Sequence, residues 1–245
     1  IKPINPIITS KIEEQINPSI ELTLSDKDFD YLDSNKKEFV KTVLPIIINE
    51  NQNILMIRSF VSELKGKLET FRTLNNNEIR KLNDIAQKYN IKYQNKHKLD
   101  LVDEILSNVD VIPNSIVLAQ AAIESGWGKS RFAKEYNALF GEYTYDDSEG
   151  VIPLERENGD THLIKAFSSY SNSVESYFDN INSHYAYEDF RDIRNIMRKR
   201  NNFSNVNLLV NKLSTYAEDE NYIKTIRQVI KTNNFTIFDQ KTISY

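Results

Sequence analysis

The sequence predicts an α+β protein that is mainly helical and carries one small antiparallel β-hairpin lobe. Three observations support this. Apolar residues recur at helical spacing over most of the 245 residues. Five of the six glycines (Gly126, Gly128, Gly141, Gly150 and Gly159) fall in one short stretch, where sharp turns or close approach of a ligand call for glycine. Within that stretch Asn158-Gly159, a strong two-residue hairpin signal, separates two short runs of strand character.

The elements follow in chain order. Residues 1–25 contain Pro3, Pro6 and Pro18 without a sustained period and read as an extended lead-in. Residues 26–108 read as an N-terminal helical extension. Its first stripe runs from Ser34 to about Phe71 through Phe39, Val40, Val43, Leu44, Ile47 and Ile48, then Leu55, Ile57, Val61 and Leu64. Pro45 lies inside that stripe and is expected to start or kink a helix. Asn77 is the expected cap of a helix holding Ile79, Leu82, Ile85 and Ala86, and a shorter helix holds Leu101, Val102, Ile105 and Leu106.

The main domain is expected over 109–232. Pro113-Asn114-Ser115 opens a helix in which Val117, Gln120, Ala121 and Glu124 share one face, and Gly126 ends it. Centring the hairpin on Asn158-Gly159 pairs Glu155 with His162 and Leu154 with Leu163. Helices resume through Val174, Tyr177, Phe178 and Ile181, then through Phe190, Ile193, Ile196 and Met197. A last helix is expected from Asp219 as cap, burying Tyr222, Ile223, Ile226, Val229 and Ile230. Residues 233–245 read as a polar, unpatterned tail.

Composition removes several classes of function. Lys and Arg number 31 against 35 Asp and Glu, for a net charge of −4, so no basic surplus points to a nucleic-acid partner. No apolar run approaches the ~20 residues of a transmembrane segment. Cysteine is absent, and with it disulfides, thiolate metal sites and thiol nucleophiles. His97, His162 and His184 lack zinc-protease spacing, so neither a metal nor another cofactor is expected; His162 and His184 read as structural hydrogen bonders. Gly128-Lys129-Ser130 imitates the end of a phosphate loop, but Ile123 stands where the first glycine belongs. Arg191, Arg194, Arg198, Lys199 and Arg200 read as a solvated basic helix face.

Glu124 is the residue with chemistry to offer. At the C-terminal end of a helix the backbone dipole disfavours a carboxylate, and burial beside Trp127 and Phe140 acts in the same direction. An acid still protonated near neutral pH can donate to a leaving oxygen, as glycoside cleavage requires. A second carboxylate is usually needed, roughly 5–5.5 Å away for retention of configuration and 6.5–9.5 Å for inversion.

The stretch from Leu118 through Glu124-Ser125-Gly126-Trp127-Gly128 to Ser130, followed by Asn137-Ala138-Leu139-Phe140-Gly141, resembles the signature of glycoside hydrolase family 73 glucosaminidase domains. Tyr216-Ala217-Glu218-Asp219-Glu220-Asn221-Tyr222 is similar to that family's second motif, Tyr-Ala-x-Asp-x-x-Tyr. Asn182-Ser183-His184-Tyr185-Ala186-Tyr187 and Phe190-Arg191 resemble the Bax-type branch of bacterial envelope proteins. The resemblance spans about residues 35–232 and implies a lysozyme-like fold.

It also implies an endo-β-N-acetylglucosaminidase acting on peptidoglycan glycan strands at the β-1,4 bond between N-acetylglucosamine and N-acetylmuramic acid. Glu124 matches the general acid, Tyr216 the tyrosine facing it, and Glu155 the second acidic residue, with Glu142 the next candidate. Trp127, Asn137, Phe140, Gly141, Glu142 and His162 are the expected substrate-binding residues. Periplasmic or cell-envelope localisation follows from such a substrate; the chain begins at Ile1, so a signal peptide is expected to lie outside it. The N-terminal helices are a possible docking surface for a protein partner. A lytic transglycosylase and a non-catalytic wall-binding scaffold are the alternative readings.

Overall fold

An unbroken apolar stripe produces the longest element. Helix α1, Ser34–Glu69, is capped by Asp33, whose side chain accepts from the Lys36 amide at 3.0 Å. At ~1.5 Å per residue it is roughly 54 Å long. Pro45 neither starts nor ends it. Val43, Leu44, Ile47 and Ile48 around the proline are fully buried, and that burial outweighs the ~3 kcal/mol a mid-helix proline costs.

The computed structural model describes residues 29–153, 162–202, 205–216 and 221–241. The described residues from Leu32 onward form one compact unit. After α1 come α2 (Asn76–Lys88), α3 (Lys98–Asn108), α4 (Asn114–Ser125) and α5 (Arg131–Tyr136). The β lobe follows, with β1 (Tyr143–Thr144), β2 (Gly150–Val151) and β3 (Leu163–Lys165). Then come α6 (Tyr170–Ser183), a 3-10 turn (Tyr185–Tyr187), α7 (Glu188–Lys199), α8 (Val206–Val210), α9 (Tyr222–Thr232) and a 3-10 helix (Phe235–Lys241). The fold is mainly α with a small antiparallel sheet, as expected. α1 packs on α3, α4 and α6, so the N-terminal helices share the body of the remainder.

Several local expectations need correction. The cap of α2 is Asn75, which forms a reciprocal capping box with Glu78, not Asn77. Among the described residues the lobe has three strands in the order β1-β3-β2. Val151 pairs with Ile164 and Gly150 with Lys165, two residues out of step with a tight turn centred on Asn158-Gly159. Glu155, Asn158 and Gly159 themselves lie outside the described residues. α9 begins at Tyr222 behind Asn221, later than an Asp219 cap would place it.

The basic face of α7 is solvated only in part: Lys199 and Arg200 are exposed, whereas Arg191 and Arg194 are not. Arg194 is fully buried and donates to the carbonyls of Asn108 and Asp110 at 2.7 and 2.9 Å; Arg191, also buried, donates to those of Ile181 and His184 at 3.0 and 2.8 Å. These guanidiniums satisfy carbonyls where helices end, which otherwise have no backbone partner. Nor is the stretch after Thr232 a loose tail, because Phe235 and Phe238 are fully buried.

Two polar ties aim α4. The linker before it is held by Asn51 of α1, which exchanges two hydrogen bonds with the Ile112 backbone at 2.8 and 3.0 Å. Asp110, in the same linker, is buried between Arg58 at 3.3 Å and Arg198, whose Nε donates at 2.8 Å. The first turn of α4 has no cap from its own preceding residue. Asp239 supplies it instead, accepting from the Ser115 amide and hydroxyl at 2.8 Å each.

Candidate active site around Glu124

α4 is buried along nearly its whole length, so its last turn delivers Glu124 from the core to a half-buried position. Gly126 closes the helix in the left-handed conformation (φ 57°), and the Trp127 amide returns to the Ala122 carbonyl at 2.8 Å. Ser125 locks the turn, donating to the Ala121 carbonyl and accepting from the Gly128 amide at 2.8 Å.

The phenol facing Glu124 is Tyr222, not Tyr216. Tyr222 donates to Glu124 Oε1 at 2.7 Å and accepts from Gln120 Nε2 at 3.0 Å. Gln120 Oε1 in turn accepts from the buried Tyr177 hydroxyl at 2.5 Å. Burial pushes the Glu124 carboxyl above its ordinary value, and the Tyr222 hydrogen bond partly offsets the push. Burial likewise drives the phenols of Tyr177 and Tyr222 upward, so both remain protonated donors.

Tyr216 is one layer back. Its hydroxyl donates to the Phe140 carbonyl at 2.9 Å, and its ring lies parallel to that of Tyr222, 3° between planes with centroids 5.8 Å apart. Phe140 is buried and stacks on Tyr177 at 4.2 Å. Gly141 follows with φ 62°, and a Cβ built there would lie 3.6 Å from Glu124 Oε2. Asn137 caps α5 in the left-handed conformation and donates to the Phe167 carbonyl at 3.0 Å, which shapes this turn from behind.

Glu142 is the second carboxyl near this wall. Ser176 donates to its Oε2 at 2.8 Å, while Oε1 is buried without a hydrogen-bond partner. Burial outweighs the Ser176 bond and the Lys165 ammonium, and its pKa rises to about 7. Both Glu124 and Glu142 push the phenols of Tyr177, Tyr187 and Tyr216 upward electrostatically, and the Tyr216 ring lies 6.1 Å from that of Tyr177 and 6.3 Å from that of Tyr187.

Trp127 belongs elsewhere. Its ring meets Phe39 edge-on at 5.7 Å and Phe235 at 6.1 Å, with Lys36 above it at 5.1 Å, so it joins α4 to α1 and to the 3-10 helix. His162 lies against Tyr143 at 4.4 Å on the lobe, and His184 accepts from the Ala186 amide at 3.3 Å. Glu155 lies outside the described residues. Sequence pattern places Gln120 on the Glu124 face and Tyr177 and Tyr222 at apolar helical positions, and assigns none of them a role at the acid. The available signal was the second tyrosine of the Tyr-Ala-x-Asp-x-x-Tyr motif.

The family model described as mannosyl-glycoprotein endo-beta-N-acetylglucosaminidase matches residues 99–235, which hold Glu124, Glu142, Tyr216 and Tyr222. The chain belongs to this glucosaminidase family. Protein bax of Escherichia coli K12 is 31% identical over 213 residues, covering 86% of this chain and 74% of bax. Peptidoglycan hydrolase FlgJ from E. coli K12 is 35% identical over 92 residues, 34% of this chain and 29% of FlgJ. FlgJ from Salmonella typhimurium is 34% identical over the same length. Among solved structures, the catalytic domain of the autolysin Auto from Listeria monocytogenes aligns over 97% of this chain with a TM-score of 0.47 and 15% identity. The glucosaminidase segment begins within α3, so the long α1 and all of α2 lie ahead of it.

Proposed function

We propose that this glucosaminidase is an endo-β-N-acetylglucosaminidase of peptidoglycan, cleaving the β-1,4 bond between N-acetylglucosamine and N-acetylmuramic acid. The observation that carries the reading is Glu124: a half-buried carboxyl at a helix C-terminus, raised in pKa, with one oxygen fixed by Tyr222. Protonated, Glu124 gives its proton to the glycosidic oxygen as the C1–O bond breaks, and the leaving sugar departs as an alcohol. The resulting carboxylate accepts the Tyr222 hydrogen bond, which offsets part of the cost of leaving that charge half-buried. Tyr216 assists by holding the Phe140–Gly141 floor beside the acid. Charge developing at C1 is met by a second group, for which Glu155 remains the proposed carboxylate; water then adds its oxygen to C1, making the new reducing end, and its proton restores the acid form of the site. A cell-envelope or periplasmic setting follows from the substrate, and FlgJ, a peptidoglycan hydrolase by name, supports the same reading. No described helix is long and apolar enough to cross a membrane.

The test is release of reducing ends from purified sacculi. Glu124→Gln is expected to lower the rate by at least about 10³-fold, with the fold intact by circular dichroism. Undiminished release in that variant ends the assignment. Anhydro-muramic products from the wild type would identify a lytic transglycosylase, and binding of sacculi without turnover would identify a scaffold protein.

A further inference from the structure

Beyond the acid, on the other side of the Phe140–Glu142 segment, a polar groove of about 440 Å³ opens between the β lobe, α2 and α6. Its walls include Glu142, Lys165, Lys88, Asp179, Asn180 and His184. Glu142 is two residues from the carbonyl that Tyr216 holds, and its neighbour Gly141 faces Glu124. Glu142 thus joins the groove to the segment that faces Glu124.

Its polar inventory is incomplete in a specific way. Glu142 Oε1 is a buried acceptor with no hydrogen-bond donor, an arrangement folded proteins rarely leave unanswered, and Asp179 Oδ1 makes no hydrogen bond either, with the Lys88 ammonium 3.4 Å away. Lys165 is loosely held: its ammonium is 3.5 Å from Ser176 Oγ and 3.8 Å from Glu149, long for charge-assisted contacts. Tyr143 stands on the rim with 65% of its surface exposed. A fitting ligand thus brings N–H donors for two carboxyl groups and an anionic group for one ammonium. Neutral sugar rings lack the anion. The peptide attached to the lactyl ether of muramic acid has amide N–H groups, amines and carboxylates on one short arm.

We propose that this groove seats the stem peptide of the muramyl residue, with its N–H groups donating to Glu142 and Asp179 and a carboxylate meeting Lys165. The proposal rests on the glycosidase reading above. It makes the enzyme selective for glycan that still carries peptides, through a contact remote from the bond that breaks.

The test compares soluble glycan strands bearing stem peptides with the same strands stripped by an amidase, using the full chain and reducing-end release. The wild type is expected to favour the peptide-bearing strands by about tenfold in kcat/KM, the worth of one good charge-assisted contact. Lys165→Gln and, separately, the near-isosteric Asp179→Asn are expected to reduce that preference to about threefold or less, mainly through KM. Two variants on different elements guard against misfolding of either one. Equal cleavage of both substrates by the wild type, or variants that slow both substrates by the same factor, would overturn the peptide groove and leave the glycosidase intact. No cleavage of either substrate would remove the glycosidase reading and the groove with it.

Discussion

Gln120 and Glu124, one turn apart on α4, hold the same phenol oxygen of Tyr222 in opposite senses, one donating to it and the other accepting from it. With its acceptor and donor roles both taken, the Tyr222 hydroxyl has a fixed direction. The acid's orientation is thus set by a side chain two positions from any charge in sequence but 98 residues away along the chain.

Replacing Tyr222 with Phe removes that donor. Because the hydrogen bond lowers the Glu124 pKa, its loss raises the pKa further, and the alkaline limb of the pH–rate profile is expected to move to higher pH. The optimum rate falls about tenfold through lost orientation. Gln120 is left with a buried unpaired amide, costing about 1–3 kcal/mol in urea melts.

Gly141→Ala tests the floor. The left-handed backbone costs an alanine roughly 1–2 kcal/mol, and the methyl group would rest against Glu124 at ordinary contact distance. The expected result is a loss in kcat/KM exceeding tenfold, larger than the stability change accounts for, measured by kinetics beside thermal melts.

Glu142→Gln separates protonation from packing. In the folded state this carboxyl titrates near 7, above its ordinary 4.5, so the folded protein binds a proton that the unfolded chain has already released between those values. Stability from this group is full below about pH 4.5 and is lost as pH rises through about 7. The glutamine variant is therefore expected to match the wild type at pH 5 and exceed it at pH 8, by on the order of 2 kcal/mol. Denaturant melts at the two pH values measure it.

Asp110→Ala strips the carboxylate from among Arg58, Arg194 and Arg198. Burial pushes this carboxyl up, but the three guanidiniums outweigh it and hold it below its usual range. Its contribution is present above the ordinary aspartate pKa and lost only as pH falls through the depressed folded value. Removing it leaves buried positive charge unopposed, for an expected loss of about 3–5 kcal/mol by chemical denaturation.

Legibility in the sequence followed the locality of each interaction. Glu124 was readable because its helix, its stop and its neighbours are contiguous. Tyr222 was not, because a tyrosine on the apolar face of α9 presents the same pattern whether its hydroxyl is idle or anchors an acid. Arg191 and Arg194 look solvated from sequence alone, which shows their charge but not the helix-end carbonyls waiting across the fold. The β2–β3 register is two residues away from the one a turn centred on Asn158-Gly159 predicts, because a dipeptide signal alone does not fix which residues pair across the lobe. Phe235 and Phe238 lay in too short a stretch to show a period, yet both are fully buried.

The Asp239 clamp on Ser115 sets an order of assembly. During synthesis α4 emerges with its opening amides unanswered, and they stay so until a carboxylate encoded 124 positions later has been made and folded back. The helix that presents the acid thus receives its protein cap only from residues made later in the chain.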